Sequence, residues 1–434
     1  MDHQRKFGVA LSGGGYRAAA FHLGTLRKLA DLSLLDKIDV ISSISGGSIT
    51  AAAYCLNKQD YIGFEQKMIT SFSTKSAIGL VLRSWEFIRT LLFALAFIGI
   101  SVYISFTPSA PFAVVPIIVL VVLLVAFQFR LFPVARVIER AYDQHLFHGA
   151  TLPDLCERPK LAIGSTNLQT SRPFTFSRER IEDSSYKYGT PSVTFLDKGF
   201  PVARAVTASS CVPFAFSPVS IAKEFFTDQR QYELVRPELV DGGVFDNQGL
   251  HKLTEIKSEY NCDIVLVSDA GNRLPFEENY NNTFTLLLRT VNVFMQRIKN
   301  FQSVRNVYDN KEGRQIAYLS LPWTLDKCVH GFISNLKSGN ISQELITMHR
   351  LKPEWVANPD VHTKELNAAL SVICNYDAVF KKNLGPTRLA AIWNIGTNLT
   401  TIKKNLIMDM IIHAANLTEI QLRLYCPSLF ITNE

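Results

Sequence analysis

The chain has 434 residues, of which 47% are hydrophobic and only 19% charged, and its mean hydropathy is positive. This composition excludes disorder, collagen and low complexity, and it falls short of the roughly 25% charge usual in globular chains. A net charge of +7 without basic runs suits an anionic membrane surface and argues against a nucleic-acid partner.

In chain order, Arg5-Lys6 precede only a short apolar run, Phe7–Leu11, too brief for the core of a signal peptide. That run ends in Ser12-Gly13-Gly14-Gly15, after which Leu23, Leu26 and Leu29 recur at helical spacing: strand, glycine turn, helix. A second cycle follows, in which Ile38–Ile44 is broken by Ser45-Gly46-Gly47 and a helical pattern resumes over Ser48–Leu56. Strands alternating with helices predict an α/β fold with a mostly parallel, helix-covered sheet. Further strands are expected at Lys160–Ile163, Ser192–Phe195, Leu239–Val240, Ile264–Ser268 and Gln315–Leu321, with a mostly helical pattern from about Pro275 onwards. Seven scattered cysteines without a CxxC pair read as reduced thiols.

The apolar excess is concentrated between Leu91 and Phe129, in two uncharged runs, Leu91–Phe106 and Phe112–Phe129, separated by Thr107-Pro108-Ser109-Ala110-Pro111. As helices they would be roughly 24–27 Å long, close to the ~30 Å hydrocarbon core. Arg83, Arg89, Arg130, Arg136 and Arg140 flank the outer ends while the connecting turn is uncharged, which predicts a transmembrane hairpin with both ends in the cytoplasm. The expected organisation is a first catalytic part over 1–80, the hairpin over 81–140 with spans at about 88–106 and 112–129, a second catalytic part over 141–275, and a helical part over 276–434. The expected location is a membrane, inner or plasma, with the lipid bilayer as partner; an oligomer could form through the hairpin.

Three sites carry chemistry. Ser45, in Ser43-Ile44-Ser45-Gly46-Gly47, stands where a strand breaks into a helix, the setting of a nucleophile elbow, with Ser43 and Gly47 as the small residues that let strand and helix approach. Gly13-Gly14-Gly15-Tyr16-Arg17 ends the first strand and opens a helix, so its amides form a cradle for an oxyanion. The same glycines fit a dinucleotide loop through Gly13-x-Gly15-x-x-Ala18, but the next strand ends in Ser45-Gly46 rather than in an acidic residue. Asp241, at the end of Leu239-Val240 and before Gly242-Gly243, suits a general base. His251, His330, His349, His362 and His413 read as surface or packing residues, and His145 with His148 lacks further metal ligands nearby. No cofactor and no metal are expected.

In this order the three sites resemble the patatin-like phospholipases, serine acyl hydrolases with a Ser–Asp dyad. Family-like stretches also run through Ile163–Thr170, Arg204–Pro213 and Val244–Gly249 and, more loosely, from Pro386-Thr387-Arg388-Leu389 to Arg423-Leu424-Tyr425. The resemblance implies a three-layer sandwich with Ser45 as nucleophile, Asp241 as its base, and Gly13, Gly14, Gly15 and Arg17 forming or supporting the oxyanion hole. Ser43 and Ala18 stand where the family pattern has glycine. The implied activity is phospholipase A or lysophospholipase hydrolysis of membrane lipid; the alternative is a catalytically silent scaffold or lipid-binding protein on the same fold.

Overall fold

The computed structural model describes residues 5–187, 192–271, 280–303, 305 and 313–430. Its centre is one sheet built from β1 (Phe7–Leu11), β2 (Ile38–Ile44), β3 (Lys160–Asn167), β4 (Arg172–Phe176), β5 (Ile181–Glu182), β6 (Val219–Ser220), β7 (Glu238–Asp241), β8 (Ile264–Asp269) and β9 (Gln315–Ser320). The order is β5-β4-β3-β2-β1-β8-β9, with β7 paired to β3 and to β6. Strands β3, β2, β1, β8 and β9 run parallel, whereas β4, β5, β6 and β7 join antiparallel. The parallel strands are near-continuous apolar runs because both their faces are covered.

Alternation within single strands shows the two covers. Val9, Leu11, Ile264 and Leu266 enter the larger core, while Ala10, Val265 and Val267 enter a smaller one on the opposite face, closed by Leu250, Leu253 and Tyr260. On the larger side the helices Gly15–Asp31, Gly46–Leu56 and Lys404–Tyr425 pack together. Lys28 and Glu419 form a buried ion pair at 2.9 Å between the first and last of these.

Because β2 lies on one side of β1 and β8 on the other, the strand order reverses at β1. Loops leaving the carboxyl ends of β1 and β2 therefore border a crevice, the usual ligand position in open α/β sheets. The glycine turn and the Ser45 turn are those two loops.

The expected strand at Ser192–Phe195 does not form. Phe195 makes single bridges to Ile181 and Phe226, and its ring packs between Phe174 and Phe226. Two backbone bonds to one neighbour, Leu196 N–H to the Phe225 carbonyl at 2.8 Å and Thr227 N–H to the Thr194 carbonyl at 3.1 Å, hold this segment together with the aromatic rings, too short a pairing to extend into a strand. Strands β4, β5 and β6 lacked a sequence signal: β4 contains Pro173 and the other two are two residues long.

In the apolar block one helix, Trp85–Ser105, has the length and apolarity to cross a membrane, with mean hydropathy 2.1 and no buried residues. In the second run one α-helix covers Val115–Ala126 and another begins at Gln128. Phe127 leaves helical geometry there, and the chain bends by 82° between Ala110–Ala126 and Gln128–Phe147. The expected span over 112–129 is thus a shorter, broken element.

Candidate active site

Ser45 follows the last residue of β2 and caps the helix Gly46–Leu56 with φ 51° and ψ −117°. A non-glycine residue in this region is strained by ~1–3 kcal/mol, and the surroundings hold it there. The Ser45 N–H donates to the Ser209 hydroxyl at 2.9 Å, and the Ser209 hydroxyl donates to the Gly164 carbonyl at 2.6 Å. The Ser48 hydroxyl lies 2.9 Å from that of Ser209 and 3.1 Å from that of Ser43, and its one proton can serve either. Ser43, in place of a glycine, is therefore part of a buried hydroxyl network beneath the turn. Gly46 and Gly47 permit close approach of backbone: a Cβ on Gly46 would lie 2.1 Å from the Gly15 carbonyl oxygen, and one on Gly47 2.3 Å from that of Leu11.

Register brings Asp241 to this point. Strand β3 pairs Gly164 with Ile44 of β2 and Ser165 with Asp241 of β7. Ser45 and Asp241 thus stand at adjacent positions along β3, where β2 ends and β7 ends, although almost two hundred positions apart in sequence. The Gly243 N–H donates to Asp241 Oδ1 at 2.7 Å, and Ser45 lies near enough to the same side chain to favour its ionised form. Both residues are buried, at 5% exposure. Burial pushes the Asp241 carboxyl up to about 6, and Gly243 and Ser45 only partly oppose it.

The glycine turn closes over the opposite side. The Gly13 N–H donates to the Asn247 carbonyl at 2.9 Å, whereas the N–H groups of Gly14, Gly15 and Gly46 have no acceptor among the described residues. Gly13 accordingly positions the loop, and Gly14 and Gly15 present free donors. Arg17 lies behind them, donating to the Ile395 carbonyl at 2.8 Å. Burial lowers its guanidinium to about 10, with Asp269 acting against the shift, so it remains cationic at neutral pH. Tyr16 N–H donates to the Asn398 carbonyl at 2.9 Å, so the segment around residues 395–399 clamps the turn.

Gly13, Gly14, Gly15, Arg17, Ser45 and Asp241 all border one cavity of about 570 Å³. Its wall is largely apolar, with Ile78, Val212, Phe214, Phe216, Leu288, Val291 and Met295, the last three from the helix Thr283–Ser303. Lys299 of that helix bonds Asp269 at 2.5 Å, which also accepts from Tyr318 at 2.7 Å. Burial opposes ionisation of Asp269, but Lys299, Tyr318 and Gly271 outweigh it and hold the carboxyl below its usual range.

No histidine is among the described residues lining the cavity. His413 and His349 are buried and bonded to the carbonyls of Leu321 and Leu424, and burial lowers His413 to about 4. His330 bonds the Asp326 carbonyl at its own helix, and His251 lies against Phe245. Among the described residues no cluster of His, Cys, Asp and Glu is arranged to hold a metal ion.

Sequence reasoning missed Ser209, Asn247, Asn398 and Lys299 as site residues. The first two lie inside the family-like stretches Arg204–Pro213 and Val244–Gly249; the other two had no signal.

A family model described as patatin-like phospholipase matches residues 9–253, over half of the chain and including Ser45 and Asp241. The chain belongs to the patatin-like phospholipase family. Members of this family are lipid acyl hydrolases, and lipids are accordingly its substrate class. Among solved structures it is similar to VipD from Legionella pneumophila, at 15% identity over 98% of this chain and 91% of that one, with a TM-score of 0.33. Human GIVD cytosolic phospholipase A2 is 12% identical over 96% of this chain and 59% of its own length, with a TM-score of 0.46. A search of curated protein sequences finds no match.

Proposed function

We propose that this patatin-like phospholipase is a membrane-anchored phospholipase A or lysophospholipase acting through a Ser45 acyl-enzyme with Asp241 as general base. The observation that carries the reading is the meeting of Ser45 and Asp241, which follow β2 and end β7 at adjacent positions along β3, on one largely apolar cavity bordered by glycine amides without an acceptor among the described residues. In the first half-reaction Ser45 Oγ attacks the ester carbonyl carbon while its proton passes to Asp241. The oxyanion accepts hydrogen bonds from the Gly14 and Gly15 N–H groups. Collapse breaks the ester C–O bond, and the departing alcohol, a lysolipid or glycerophospho group, takes the proton from Asp241. In the second half a water gives its proton to Asp241 and attacks the acyl carbon. The fatty acid leaves and Ser45 recovers the proton.

The membrane part of the reading rests on continuity. Ile78 lines the cavity and belongs to the helix Ala77–Arg83, and Ser84 alone separates that helix from the apolar helix Trp85–Ser105. An anchor so close to the cavity would hold its mouth at the lipid surface. Arg83, Arg89, Arg130 and Arg136 favour a catalytic body on the cytoplasmic side of an inner or plasma membrane.

Lipid mass spectrometry of membranes incubated with wild type, Ser45→Ala and Asp241→Ala tests the dyad. Wild type alone is expected to release fatty acid; equal release from all three sinks the assignment, and none from wild type favours a silent scaffold. Deleting residues 91–129 is expected to free the protein from membranes while hydrolysis of a short soluble ester persists. Retention on membranes would end the anchor reading.

A further inference from the structure

The helix Thr283–Ser303 is a partition with two working faces. Leu288, Val291, Met295 and Lys299 recur every three or four residues and border the catalytic cavity. Phe294, Ile298, Phe301 and Arg305 recur on the other side, continuing just past the helix end, and border a second, larger cavity of about 1070 Å³. Val244, three residues after Asp241, borders both. Thr166 of β3 lines the second cavity, and its hydroxyl donates to the Asp241 carbonyl at 3.1 Å.

The second cavity is amphipathic. Leu168, Val244, Phe245, Phe294, Ile298 and Phe301 supply apolar wall, and Phe294 and Phe301 are 56% and 66% exposed. Arg297, Arg305 and Arg314 supply the charge. Arg314 is fixed by donating to the Cys262 carbonyl at 3.1 Å and to Asn261 at 3.4 Å. Glu255 is the one carboxylate among the described lining residues, and Lys252 already engages it at 3.6 Å. Gln302 adds a buried side-chain oxygen without a partner among the described residues. A cluster of guanidinium groups beside an apolar trough matches a ligand with an anionic head and an alkyl tail. The volume is at the upper end of ordinary ligand pockets, enough for such a tail.

We infer that the cavity behind the helix Thr283–Ser303 is a second lipid site, distinct from the catalytic cavity, that binds an anionic amphiphile with its head on Arg297, Arg305 and Arg314 and its tail along Phe294, Ile298 and Phe301. Two sources share this chemistry: an acidic phospholipid of the membrane, or the fatty acid released next door. The site does not depend on the dyad, so its test is a binding measurement in protein that cannot turn over.

Full-length Ser45→Ala protein in non-ionic detergent is titrated calorimetrically with dioctanoyl phosphatidic acid, decanoate, dioctanoylglycerol and inorganic phosphate. Either anionic amphiphile is expected to fill a site additional to the catalytic cavity, with the tighter one identifying the source, and dioctanoylglycerol and phosphate to bind at that additional site far more weakly. Arg297→Glu and, separately, Phe301→Ser are each expected to weaken that binding about tenfold or more. Both side chains are exposed at the helix surface, and an unchanged melting temperature checks the fold; should one variant fail this check, the other carries the test. Equal binding of dioctanoylglycerol, equal binding of phosphate alone, or anion binding indifferent to both substitutions overturns the inference. Failure of Ser45→Ala to abolish hydrolysis in the wild-type comparison would count against the dyad and leave this result untouched.

Discussion

The Ser45 N–H donates to the Ser209 hydroxyl at 2.9 Å, joining the strained strand-to-helix turn to the helix Val202–Ser210. Ser209 passes the restraint on to the Gly164 carbonyl of β3, so three elements fix one unfavourable dihedral pair. Ser209→Ala leaves the buried Ser45 amide without an acceptor, a change worth roughly 1–3 kcal/mol. The expected outcome is a lower melting temperature together with a fall in kcat on a soluble ester, since the nucleophile loses its fixed direction. An unchanged kcat would show that Ser209 supports stability alone.

Gly46 and Gly331 form a contrasting pair. A Cβ at Gly46 meets the Gly15 carbonyl oxygen at 2.1 Å, whereas one at Gly331, within the helix Leu325–Lys337, meets nothing within 4 Å. Gly46→Ala must push the nucleophile turn away from the glycine loop and is expected to abolish ester hydrolysis. Gly331→Ala is expected to raise stability by about 0.5–1 kcal/mol through helix propensity. Activity assays and thermal melts of both variants check this; an active Gly46→Ala enzyme would refute the close approach of the two loops.

In the proposed mechanism Asp241 accepts the proton of Ser45 only when ionised, and burial holds its carboxyl at about 6. Below that pH, kcat/KM for a soluble ester should fall about tenfold per unit, and above it level off. A limb centred near 4 would point to an ordinary exposed carboxylate as the base.

The same burial carries a stability cost with a definite sign. The unfolded carboxyl titrates near 4 and the folded one near 6, so between these values the folded state holds a proton that the unfolded state has released. Stability from this group therefore falls as pH rises through that window. Asp241→Asn removes the buried charge and should raise stability at pH 8 by up to roughly 3 kcal/mol, with little gain at pH 4, while hydrolysis is lost. Melts at the two pH values read the difference; an equal shift at both would mean that titration of Asp241 is not its source.

Lys299 ties the helix Thr283–Ser303 to Asp269 at the end of β8. With Lys299→Met, Asp269 keeps Tyr318 and Gly271 as partners, but the helix loses its polar tether. Limited proteolysis is expected to cut this helix faster in the variant, and identical cleavage kinetics would show that its apolar face alone holds it down.

The reading of the sequence succeeded where one physical signal dominates. Strands β1, β2 and β8 are buried on both faces and so are rich in apolar and β-branched residues; Ser45 and the glycine turn follow from where those strands stop. It failed where pairing depends on partners distant in sequence. Pro173 masked β4, and Phe195 has a strand-like composition but is held by the rings of Phe174 and Phe226. Lys299 reaches the site on the helix Thr283–Ser303 and Asn398 on the loop before the helix Lys404–Tyr425, and neither lies in a recognisable pattern. In the apolar block the run from Phe112 has no charge to mark the break at Phe127, so composition alone suggested a longer helix.

The clamp on the glycine turn has a consequence for how the protein comes into being. Arg17 is held by the Ile395 carbonyl, Tyr16 by that of Asn398, and the helix Gly15–Asp31 by its packing against Lys404–Tyr425, where Lys28 meets Glu419. A chain still on the ribosome carries Ser45 and Asp241 well before it carries any of these holds. At about 5–20 residues per second, the interval is on the order of ten seconds or more. The glycine turn and the proposed catalytic pair are thus held in their final arrangement only once the chain has been made beyond Glu419.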